Sequence, residues 1–137
     1  MSITVSYEMA NKLEEAGFDH PTFLCWVDDV GRPEDLPVLE IWDHSIDMEE
    51  NFPVMPDAIP APTFSELLDY IPQLKKFGQN REPGLLTIWR DTITKNKEVH
   101  VVGYRRTGEV NLNFWWIYCE GDTIADAAAE LWIEINN

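Results

Sequence analysis

Cysteine is nearly absent: Cys25 and Cys119 are the only two in 137 residues. Both sit inside apolar runs, Phe23-Leu24-Cys25-Trp26-Val27 and Phe114-Trp115-Trp116-Ile117-Tyr118-Cys119, with no second Cys or His at ligand spacing. That excludes a zinc ribbon or dithiol redox motif and predicts two reduced, buried thiols acting as small hydrophobes. A disulfide between them would require the two strands to be neighbours. Seven glycines, mostly at turns and helix ends, leave no P-loop and no dinucleotide-binding glycine pattern. Serine is confined to Ser2, Ser6, Ser45 and Ser65, without G-x-S-x-G, so a hydrolytic triad lacks its setting. H-E-x-x-H is missing too. No apolar run approaches the ~20 residues a bilayer crossing needs, and no charged-then-apolar leader pattern opens the chain. The expectation is a soluble, cytoplasmic protein.

Positive charge is the other scarcity. Ten Lys and Arg face 25 Asp and Glu, a formal net charge of −15. Such a surface repels phosphate backbones and anionic lipid, so direct binding to nucleic acid or membrane is not expected. The imbalance is uneven. Asp28, Asp29, Glu34, Asp35, Glu40, Asp43, Asp47, Glu49, Glu50 and Asp57 are opposed only by Arg32, while Lys75, Lys76, Arg81, Arg90, Lys95, Lys97, Arg105 and Arg106 come later.

What the chain has in quantity is aromatic and apolar mass: six Trp, six Phe and four Tyr, enough for the core of one domain spanning residues 1–137. Ser6 to Ala16 reads as a helix, with Ser6 as N-cap, Met9, Ala10, Leu13 and Ala16 as its apolar face and Gly17 as its stop. Thr22–Asp28 and Pro37–Asp43 read as strands paired in a hairpin. Ser45–Pro62, with four prolines and four acids, reads as a semi-rigid loop. Thr63 with Glu66 predicts a capping box opening a helix through Ile71. Pro72 bends or ends it, with Gln73 to Phe77 as one further turn. Leu85–Asp91, Glu98–Arg105 and Val110–Cys119 form an antiparallel meander joined by turns.

The closing helix is the clearest signal. Thr123 caps it, with Asp126 in the approximate box position, and Ile124, Ala127, Ala128, Leu131, Trp132 and Ile135 recur at helical spacing. The sum is an α+β fold in the order α-β-β-α-β-β-β-α, with three helices on one face of a mostly antiparallel sheet of about five strands. Strict alternation along the last strand puts Trp116 and Tyr118 on one face, and Trp115, Ile117 and Cys119 on the other. Trp26, Trp89, Trp115, Trp116 and Trp132 are most simply core. If helices cover one face only, some of these rings meet a partner, and Trp26 and Trp115 are the candidates for a homo-oligomer interface.

Three stretches carry a resemblance. They are Leu13-Glu14-Glu15-Ala16-Gly17-Phe18, Ala61-Pro62-Thr63-Phe64-Ser65-Glu66-Leu67-Leu68 with Ile71-Pro72, and Thr123 to Trp132, together about a third of the chain. In these the sequence resembles a group of small acidic proteins of tailed phages and prophages. The shared positions are caps and core. The resemblance therefore implies a fold and a phage-like context, and no catalytic residue. The acidic proline loop has no counterpart in it.

One cluster has ligand chemistry: Asp43, His44, Asp47, Glu49 and Glu50. Carboxylates at this spacing can hold a hard cation, but the glycine and terminal glutamate of an EF-hand loop are missing. The pattern predicts a solvated acidic loop, with no metal and no cofactor. The leading expectation is a non-enzymatic protein that presents Asp43, His44, Asp47, Glu49, Glu50 and Asp57 to a protein with a basic surface. One form of it is a nucleic-acid mimic or anti-defence inhibitor. The alternative is an assembly accessory that homo-oligomerises through an exposed sheet face. A small metal-dependent hydrolase stands third.

Overall fold

In the computed structural model, which describes residues 4–27, 37–41, 59–94, 97–106 and 115–136, the opening helix α1 (Tyr7–Glu15) is closed at both ends as its sequence dictates. Ser6 Oγ accepts the Met9 N–H at 3.2 Å. At the other end Phe18 N–H reaches Leu13 O and Gly17 N–H reaches Glu14 O, with Gly17 at φ +91°. That pair of bonds is a Schellman motif, and the buried Leu13 and Phe18 supply its hydrophobic contact.

After it come β1 (Leu24–Val27), β2 (Val38–Ile41), β3 (Ile59–Ala61), α2 (Phe64–Leu68), β4 (Leu74–Phe77), β5 (Glu82–Thr94), β6 (Lys97–Arg106), β7 (Trp115–Gly121) and α3 (Ile124–Asn136). Among the described residues the class is α+β, with three helices and antiparallel pairing in every strand pair, as the periodicities predict. The strands divide into two sheets, ordered β2-β1-β3 and β4-β5-β6-β7. The predicted hairpin is β1 with β2, and the predicted meander is β5-β6-β7.

Two short strands depart from expectation. β3 forms from the last residues of the stretch read as a proline loop, and Pro60 pairs with Cys25. Proline is tolerated there because β3 is an edge strand, where a missing donor leaves no ladder bond unmade. Residues 73–77 do not add a helical turn. The helix ends at Leu68 and does not run through Ile71: Tyr70 and Ile71 N–H bond three residues back, to Leu67 O and Leu68 O, and after Pro72 the strand Leu74–Phe77 turns back against Glu82–Leu85 through a tight connection with Gly78 at φ +74° and Arg81 at φ +51°.

α3 lies over β6 and β7 and touches α1 and α2. Leu131 and Trp132 are buried, and so are Ala125 and Ala129, which widens the predicted stripe. Thr123 Oγ1 accepts the Asp126 N–H at 3.2 Å. Asp126 does not reach back to complete its own box. Its Oδ1 accepts the Ser6 N–H at 2.8 Å, so one carboxylate joins the starts of two helices. The capping box of α2 is complete, with Thr63 and Glu66 bonded in both directions. Glu66 Oε2 also accepts the Phe23 N–H at 2.9 Å, which fixes β1 to the helix start. Among the described residues no helix is long and apolar enough to cross a membrane.

Candidate functional site

Among the described residues, one face of the four-stranded sheet lies under α3 and no helix lies on the other, although Val99 and Val101 on it are buried. Register assigns the side chains. Leu74 pairs with Leu85, Trp89 with Val101, Gly103 with Tyr118 and Arg105 with Trp115. Cross-strand partners share a face, so these residues lie together on the side away from Val102 and Tyr104, which are fully buried in the helix-covered core. On the open side Leu74 is 53% exposed, Leu85 51%, Trp89 39% and Tyr118 53%. Tyr118 and Trp115 stand with ring centroids 5.9 Å apart.

A bulge sets this pattern. β7 pairs Ile117 with Tyr104 and then Trp115 with Arg105, leaving Trp116 as an extra residue. The extra residue moves Trp115 onto the face of Tyr118 and turns Trp116 inward beside Ile117. The alternation expected from the sequence, with Trp116 and Tyr118 together, is therefore corrected. Inside, Trp116 stacks on Phe77 at 5.6 Å, and the Arg106 guanidinium lies 5.6 Å from its ring centre. Arg106 also pairs with Glu82 at 2.9 Å, a half-exposed bridge of small energetic weight.

Charge is segregated. Glu8, Glu14, Glu15, Asp19, Asp69 and Glu134 are exposed on or beside the helices. Lys75, Lys76, Arg81, Arg105 and Arg106 gather where β4 meets β5 and β6 ends. On the open face Lys76 and Arg105 stand at one end, and Glu120, in the row of Trp89 and Val101, stands at the other.

Of the residues singled out from sequence, Asp43, His44, Asp47, Glu49, Glu50 and Asp57 lie outside the described residues. Trp115 is on the open face. Trp26 belongs to the other sheet, so the two are not brought together. Its Nε1 donates to Val5 O at 3.1 Å, and its ring meets Tyr7 edge-on at 6.0 Å. Trp89, expected in the core, is on the open face. Leu74, Leu85 and Tyr118 were missed. A period of two in Leu85-Leu86-Thr87-Ile88-Trp89 could have signalled this, but apolar residues fall on both of its faces.

Chemistry at the remaining groups is quiet. Cys25 and Cys119 are buried and not joined in a disulfide. Burial, followed by the nearby Glu130 and Glu134 carboxylates, pushes the Cys119 thiol up to about 12, which leaves it protonated and unreactive at neutral pH. Among the described residues no three His, Cys, Asp or Glu side chains converge as metal ligands. His20 stacks on Tyr70 at 3.8 Å with Phe18 edge-on at 5.1 Å, a packing role. No protein-family model, curated protein or solved structure matches this chain.

Proposed function

We propose that this chain acts by binding another protein through the open face of the β4–β7 sheet, with its negative charge selecting a partner that has a basic surface. The observation that carries the proposal is the cluster of Leu74, Leu85, Trp89 and Tyr118, each more than a third exposed on the face of the β4–β7 sheet that, among the described residues, no helix covers. Contiguous apolar patches with aromatic members mark protein interfaces. The long-range attraction comes from the net charge of −15, including Asp43, Asp47, Glu49, Glu50 and Asp57. Lys76 and Arg105 repel a basic partner at one end of the face, which directs it toward the Trp89–Val101–Glu120 end.

In its concrete form the protein is a phage-type inhibitor whose carboxylates stand in for phosphates on a host enzyme. The second reading is a homo-oligomer closed across the same face, favoured by the Trp115–Tyr118 pair on it. Affinity capture from a host lysate, followed by purification of the retained protein and light scattering, tests both. The expected result is a monomer that binds a basic protein, releases it as salt rises from ~0.05 to ~0.5 M, and loses it on Tyr118→Glu. Salt-independent retention, or equal retention by Tyr118→Glu, would overturn the proposal. A dimer that Tyr118→Glu dissociates would replace it with the second reading.

A further inference from the structure

On the open face Val101 stands in register with Trp89 of β5 on one side and Glu120 of β7 on the other, so the three form one row across three strands. Neighbouring strands lie ~4.8 Å apart, which sets the Trp89 and Glu120 backbones about 10 Å apart, with the shorter Val101 side chain, 8% exposed, as the floor between them. Both flanking side chains are exposed. Trp89 differs from the other described tryptophans. Trp26 meets Tyr7, Trp115 meets Tyr118, Trp116 stacks on Phe77 and Trp132 meets Phe18. Among the described residues the Trp89 ring has no ring or guanidinium against it, and Glu120 is in no ion pair.

We infer that this row is a seat for one arginine side chain of the partner protein, whose guanidinium lies across the Trp89 ring and donates to the Glu120 carboxylate. The seat rests on the binding function proposed above and specifies which partner group the face takes. The chemistry of its two walls selects the occupant. An indole ring attracts a cation over its face, and a carboxylate accepts paired N–H bonds from a guanidinium. The guanidinium is planar and weakly hydrated, so it stacks and bonds at once, whereas a lysine ammonium is a compact, strongly hydrated point charge. An apolar side chain would cover Trp89 while stripping water from Glu120 and giving its charge no partner.

Position on the sheet decides which charge the arginine meets. Arg105 follows Val101 by four positions on β6, about 13 Å at the rise of a strand, beyond the ~8 Å over which exposed charges act at physiological salt. Lys76 lies farther along the same face, in register with Pro83. Glu120 is therefore the charge that an incoming cation meets at Trp89.

The test is a titration followed by NMR. Its probes are an acetylated, amidated peptide with one arginine between two leucines, and the same peptide with citrulline, which keeps the shape and loses the charge. The arginine peptide should shift the Trp89 indole N–H and the Val101 amide, and bind ~10-fold more tightly than the citrulline peptide. Glu120→Gln and Trp89→Leu should each weaken it ~3- to 5-fold. Glu134→Gln, at an exposed carboxylate of α3, removes the same unit of charge and should leave binding unchanged. Equal weakening by Glu120→Gln and Glu134→Gln, or shifts that miss Trp89 and Val101, would overturn the seat. Equal binding of the two peptides to the wild-type chain would overturn it whether or not any variant folds. If the peptides bind alike while Tyr118→Glu still releases a captured partner, the seat falls and the binding function stands.

Discussion

Trp132 is the residue on which the aromatic core converges. It meets Phe18 edge-on at 5.1 Å and His20 at 6.4 Å, and is 6% exposed. Truncating a buried Trp to Ala costs ~3–5 kcal/mol, a large share of the ~5–15 kcal/mol that holds a small domain together. Trp132→Ala should therefore lower the thermal midpoint steeply or fail to fold, and an unchanged midpoint in calorimetry would contradict its burial. Tyr104 makes a second prediction. It is fully buried, its hydroxyl donates to Pro72 O at 2.6 Å, and burial pushes its pKa up to about 12 from 10.0. Cys119 is raised in the same direction, to about 12 from 9.0. In both cases the unfolded chain loses the proton first. The stabilisation is complete below about pH 9, declines as pH rises, and is gone once pH passes about 12. Denaturant midpoints measured from pH 8 upward should fall with this alkaline limb, and Tyr104→Phe should flatten it. A midpoint level through pH 11 would refute the assignment.

At the scale of elements, termini were more legible than parity. Ser6, Gly17, Thr63 with Glu66, and Thr123 are local signals, because a cap is made by residues within one turn, and all four cap or stop helices as read. Thr63 has more to lose than an ordinary cap, since Glu66 ties α2 to both Thr63 and Phe23. Thr63→Ala should cost ~1 kcal/mol, and chemical denaturation should resolve it from Ser65→Ala, an exposed position expected to be near neutral. The bulge at Trp116 was not legible. Nothing in Phe114-Trp115-Trp116-Ile117 marks which residue is extra, because the choice depends on Phe77, itself packed on Tyr104, receiving the inward ring. β4 was hidden for a similar reason. Leu74-Lys75-Lys76-Phe77 has little strand character alone and becomes a strand only through its pairing with Glu82–Leu85.

At the scale of the molecule, class and element order followed from hydrophobic period, while the division into two sheets did not, because sheet membership is decided by long-range pairing. The candidate site was legible only in outline. An open sheet face bearing Trp115 was anticipated, yet its largest exposed members, Leu74, Leu85 and Tyr118, were not, since exposure depends on where α3 lies. The carboxylate of Asp126 has a further consequence. By holding Ser6 across 120 positions of sequence it makes the opening helix depend on the closing one. A nascent chain emerging from the ribosome can already set its first helix against β3 and Trp26, but the bond that closes the start of that helix waits until α3 has been synthesised. Such a protein must finish folding late, and chaperones would meet its early segments with their apolar sides still bare.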